Sequence, residues 1–128
     1  MAEQRIRRIP PSERAEGPST PGMDRFTAFA SETMWAGGAR TDPGMVSGWH
    51  HHGEQESAIF VLSGMLRMEF GPGGIETFDA GPGDIVHVPR GAIHRESNPS
   101  EEPADLFVVR AGAGPSVVNV DEPDDSPS

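Results

Sequence analysis

Turns set the limits of this fold. Glycine and proline signals recur at Gly37-Gly38, Asp42-Pro43-Gly44, Ser63-Gly64, 71–74, 81–83, 89–91 and 99–103, with gaps of mostly four to eight residues. Gaps that short leave no room for a helix able to bury a face. What lies between the turns has strand character: residues 59–62, 65–70, 75–78, 85–88, 106–109 and 117–120 are rich in valine, isoleucine, leucine and phenylalanine. Ser63-Gly64 reads as a two-residue hairpin turn and 71–74 as a longer one. In 65–70 the alternation puts Arg67 and Glu69 on one face. Many short strands with regular turns predict an all-β sandwich or barrel.

The 128 residues suit one domain. Residues 1–22 are polar and proline-rich and read as an extended N-terminal arm, 23–120 as the barrel, and 121–128 as a disordered acidic tail. The tail supplies four acids toward a net charge of −10. That charge argues against nucleic acid and anionic membranes as partners. No apolar run approaches the length of a transmembrane helix, and the N-terminus has no apolar signal core; the expected location is cytoplasmic. All ten basic residues are arginine, and cysteine and tyrosine are absent. A thiolate nucleophile, a Schiff-base lysine and a tyrosine acid or base are therefore excluded.

The chemistry rests on histidine. In a strand, residues i and i+2 share a face, so His50 and His52 can converge while His51 points away. Glu56 follows four residues later and could add an oxygen ligand. His94, from a distant strand, would complete a site of three nitrogens and one oxygen with positions left open for substrate.

Gly44-x5-His50-x-His52-x3-Glu56 resembles the first motif of the cupins, and Gly83-x5-Pro89-x-Gly91-x2-His94-x3-Asn98 resembles the second in every fixed position. The resemblance is to small single-domain cupins and implies a double-stranded β-helix, or jelly roll, with His50, His52, Glu56 and His94 as ligands of a divalent transition metal (Fe, Mn, Ni, Zn, Co or Cu). One departure stands out. Seven residues separate Glu56 from Gly64 where the family usually has six. Counting back from Gly64 puts Ser57 in the ligand slot, and a one-residue slip turns Glu56 away unless a bulge restores its aim. Glu54, Gln55 or a site of three histidines alone are the alternatives.

Around such a metal, Arg40 is the preferred anchor for a substrate carboxylate over Arg67 and Arg95, with Trp49, Phe60 and His87 as further substrate-binding candidates. His87 otherwise reads as a packed histidine. Asn98 reads as a turn residue, and 96–102 as a solvated loop. A small-molecule ligand and a homodimer are the expected partners. The function leans toward an enzyme acting on a small oxygen-rich or anionic molecule by chelation, of dioxygenase or isomerase/decarboxylase type. A non-catalytic cupin that binds a small molecule as a sensor is the alternative.

Overall fold

In the computed structural model, which describes residues 5–17, 19–114, 117–121 and 123, eleven strands pair into two antiparallel sheets. They are β1 (Ala15–Glu16), β2 (Met23–Ala30), β3 (Met34–Thr41), β4 (His50–His51), β5 (Glu56–Ser63), β6 (Leu66–Phe70), β7 (Glu76–Ala80), β8 (Ile85–Val88), β9 (His94–Ser97), β10 (Ala104–Ala111) and β11 (Val118–Asn119). One sheet runs β1-β2-β3-β10-β5-β8 and the other β11-β4-β9-β6-β7. Such a jelly roll buries the inner face of each sheet against the other. Part of the N-terminal arm joins the fold, since β1 pairs with β2 at one edge. Of the acidic tail, only residues 121 and 123 fall among those described.

Period-two burial explains the core. β5 sends Ser57, Ile59 and Val61 inward, and β10 sends Ala104, Leu106 and Val108. Leu66 and Met68 of β6 meet them from the opposite sheet, and Trp35 and Phe70 close over the cluster. Each fully buried aliphatic side chain there contributes about 1.5–3 kcal/mol.

Two turn expectations are corrected. Ser63-Gly64 does not close a hairpin: β5 and β6 lie in different sheets, and the turn carries the chain across the barrel. Gly64 adopts φ +79, and a side chain there would meet Ala104. The hairpin at 71–74 is present and joins β6 to β7 in register.

Gly37-Gly38, which reads as a turn, lies in the middle of β3. Neighbouring backbone and aromatic rings take the space that side chains would fill. A Cβ on Gly37 would overlap the Phe26 carbonyl oxygen on β2 and come within 2.7 Å of the Trp35 ring, and one on Gly38 would overlap the Phe26 ring. Gly37→Ala is expected to destabilise the fold by about 1–3 kcal/mol through overpacking. A lowered urea midpoint with an unchanged slope would show it.

Candidate metal centre

The strands that carry the histidines are placed by a two-way exchange of backbone hydrogen bonds. Segment 44–48 runs beside β9: Gly44 N donates to Asn98 O (2.7 Å), Asn98 N to Met45 O (2.9 Å), and Ser47 N to Glu96 O (2.8 Å). Ser47 Oγ accepts from Glu96 N at 2.9 Å. This delivers β4 in register, with His50 directly opposite His94. Asn98 is wholly buried; its amide donates to Thr41 Oγ1 and Glu102 O and accepts from Ser100, so it fixes the turn that ends β9.

Strand parity then brings four buried side chains together: His50, His52, His94 and Glu96, whose donor atoms all lie within 4.8 Å of one another. The ring centroids of His50 and His94 are 4.3 Å apart, and His52 stands 5.1 Å from each. His50 Nδ1 is 2.9 Å from Gly48 O and His94 Nδ1 is 2.9 Å from Ala92 O. Because a carbonyl can only accept, Nδ1 carries the proton in both rings, and Nε2 is presented to the centre as a lone pair when the ring is neutral. Fixing the outer nitrogen in this way is how metal-binding histidines are oriented. His51 faces elsewhere and accepts a hydrogen bond from Gly53 N (2.9 Å).

Electrostatics favour this arrangement at His50 and oppose it at His94 in the metal-free protein. Burial holds His50 below its ordinary value, favouring the neutral ring a metal needs. For His94, burial also pushes downward, but the hydrogen bond and charge of Glu96, 3.2 Å from Nε2, raise it overall. Burial pushes the Glu96 carboxyl upward, yet the His94 hydrogen bond and the three imidazoles outweigh it and take it down to about 2. An ionised carboxylate in the barrel is tolerable only because cations face it.

Glu56 stands outside the cluster and corrects the expected ligand set. It follows the turn at 53–55 on the outward face of β5, while Ser57 takes the inward slot at 2% exposure. No bulge intervenes at this end of the strand: Ser57 stays opposite both Arg110 and Val88. Glu56 instead meets His87 on the outer face at 3.0 Å, and that hydrogen bond holds its carboxyl below the usual range. The carboxylate of the cluster comes from β9. Residues 96–98, read above as solvated loop, are buried. The signal for Glu96 was the same i, i+2 spacing that linked His50 to His52, here from His94.

The four substrate-binding candidates also fall outside the barrel interior. Arg40 is exposed and paired with Asp105 at 3.2 Å. Phe60 and His87 lie on the outer face of the six-stranded sheet, where Phe60 neighbours the exposed Leu62, Ile85 and Phe107. Trp49 alternates away from His50 and carries the Arg95 guanidinium 4.6 Å from its ring centroid. Arg95 and Arg67 pair with Glu69 and Asp79 on the outer face of the second sheet. The inward cations are Arg25 and Arg110. Sequence alone did not single them out, because their facing depends on which strand pairs with which.

Among the described residues, no helix is long and apolar enough to cross a membrane. A family model described as a cupin domain matches residues 39–110. The polyketide cyclase RemF from Streptomyces resistomycificus superimposes with a TM-score of 0.75 at 21% identity, over 94% of this chain and 89% of that one. A conserved protein with a double-stranded β-helix domain from Klebsiella pneumoniae superimposes with a TM-score of 0.70 at 22% identity, over 94% and 100%. Oxalate decarboxylase from Bacillus subtilis superimposes with a TM-score of 0.67 at 23% identity, over 80% of this chain and only 28% of that enzyme. At these identities the likeness is one of fold. No curated protein matches the sequence. With more than half its length matched by the family model, the chain belongs to the cupin-domain family.

Proposed function

We propose that this protein is a metal-dependent enzyme that acts on a small, anionic, oxygen-chelating molecule, with His50, His52, His94 and Glu96 holding a divalent transition metal. The observation that carries this reading is the convergence of four buried donors, two of whose imidazoles have the outer nitrogen tied to a backbone carbonyl. The donor set fits such an ion: three borderline nitrogen ligands and one oxygen ligand suit iron, manganese, cobalt, nickel or zinc. A bound ion would supply a Lewis acid that draws electron density from a chelated substrate oxygen.

The protein's own residues do the rest. Gly48 and Ala92 keep two rings aimed, so little reorganisation is needed when substrate arrives. Glu96 cancels one of the two charges of the ion and leaves about one net positive charge, which selects anionic donors such as enediolates, 2-oxo acids and phenolates. Phe70, Trp35 and the aliphatic core around them keep bulk water from the inner wall.

The test is elemental analysis of tag-free protein purified without chelators, beside a His50→Ala/His52→Ala variant. The expected result is close to one metal per chain in the wild type and none in the variant, with both folded by circular dichroism. Iron directs the assay to oxygen uptake with chelating aromatics, diketones and 2-oxo acids; another metal directs it to isomerisation and decarboxylation. Equal, trace metal in both proteins after reconstitution would overturn the reading. Stoichiometric metal with ligand binding but no turnover would leave a binding module on the same barrel.

A further inference from the structure

The two outer faces of the barrel differ in kind. The outer face of β6, β7 and β9 is polar, with Arg67 paired to Asp79 and Arg95 to Glu69 in adjacent rows. That is what a sheet face in contact with water carries. The outer face of the six-stranded sheet is apolar. Phe26, Gly38, Phe107, Phe60 and Ile85 form one row across β2, β3, β10, β5 and β8, each directly opposite the next. The Phe26 ring lies across Gly38, and the Arg14 guanidinium carbon sits 4.1 Å from the centroid of that ring. Val109 and Ala58 stand opposite each other in the next row.

Water reaches much of this face. Phe60, Phe107, Leu62 and Ile85 are between 37% and 70% exposed. Together they leave roughly 400 Å² of apolar surface uncovered, the size of patch that marks an interaction site and about half of what a standard interface buries on each partner. The face has relief as well as area. A groove of about 570 Å³ opens over β3 between Phe26, Arg40, Leu62 and Phe107, while Ile85 protrudes from the edge strand β8.

We propose that this face is the interface between two copies of this chain, packed sheet to sheet about a two-fold axis that runs along the strands between β10 and β5. That axis sets Phe60 of one copy over the partner's Phe107, and Ile85 over the groove beside the partner's Gly38. Self-matching of this kind favours a second copy over an unlike partner. A chain of net charge −10 repels its own kind unless the contact keeps like charges apart. Here Asp105 shares its row with Ser63, and Glu56 shares its row with Ala111, so the same axis turns each carboxylate toward a neutral residue of the other copy. The rim charges are already tied down, Arg40 to Asp105 at 3.2 Å and His87 to Glu56 at 3.0 Å. An apolar centre inside a paired polar rim is the make-up of a protein interface. The histidine cluster lies on the inner side of the barrel, so this association does not depend on a metal.

The test is sedimentation of the full-length chain over a range of concentrations, beside single-site variants. The wild type is expected to run as a dimer that dissociates on dilution. Phe60→Glu is expected to weaken association about 100-fold, by removing a central aromatic anchor and burying a charge in its place. Ile85→Glu, at the most exposed position of the row, should weaken it by a smaller factor, and it carries the test if Phe60→Glu does not fold. Thr77→Glu, on the polar outer face of β7, should leave the mass unchanged. Because the chain has no cysteine, Ala58→Cys supplies a single thiol near the axis, which a short bismaleimide should join copy to copy; Thr77→Cys should give no such product. A wild-type monomer at every concentration would overturn the proposal, as would a dimer left intact by both glutamate substitutions at Phe60 and Ile85. An Ala58→Cys protein that yields no crosslinked dimer would rule out the two-fold packing. A monomer whose binding of a hydrophobic dye rises when residues 1–14 are removed would assign the face to the chain's own arm and overturn the proposal as well.

Discussion

Glu96→Gln is expected to lower divalent-metal affinity by more than about 100-fold, while Glu56→Gln leaves it unchanged. Even outer partners of metal ligands change affinity by about 10- to 100-fold, and Glu96 offers its carboxylate oxygen within the cluster itself. Glutamine keeps the volume but has no charge, so it neither neutralises the ion nor competes well for it. Glu56 lies on the other face of the sheet, paired with an exposed histidine, and removing its charge touches only a surface contact. Competition against a fluorescent chelator would measure both affinities. A large loss in Glu56→Gln with little change in Glu96→Gln would reverse the assignment of the carboxylate to β9.

The contrast between these two glutamates shows what was legible beforehand. His50, His52 and His94 could be read because alternation fixes which residues share a face, and the two motifs supplied the strands. Glu96 obeyed the same alternation, but 96–102 holds serine, asparagine, proline and three glutamates, a composition that resembles a solvated loop. What buries Glu96 is the alignment of segment 44–48 beside β9, a contact between residues about fifty apart in sequence. β3 was hidden for the opposite reason. Its central Gly37-Gly38 mimics a turn, whereas the Trp35 and Phe26 rings make glycine the residue that fits a strand there. Arg25 and Arg110 lie on strands whose inner faces become defined only once β10 inserts between β3 and β5.

The stability difference between wild type and Glu96→Gln, both metal-free, is expected to peak between about pH 4.5 and 6.5 and to shrink on either side. Glu96 falls in the folded protein from its ordinary 4.5 to about 2, so its stabilising contribution is complete above 4.5 and is lost as pH falls through 2. His94 is raised above its ordinary 6.5, so its contribution is complete below 6.5 and is lost as pH rises through the folded value. Between these limits a buried carboxylate faces a protonated imidazole, a charged hydrogen bond worth about 1.5–3 kcal/mol. His50 works the other way, because burial lowers it and acid therefore favours the unfolded chain. It is present in both proteins and largely cancels in the difference. Urea midpoints from pH 4 to 8.5, with chelator throughout, would measure the window. A difference that keeps growing above pH 7 would mean that His94 is not the proton holder facing Glu96.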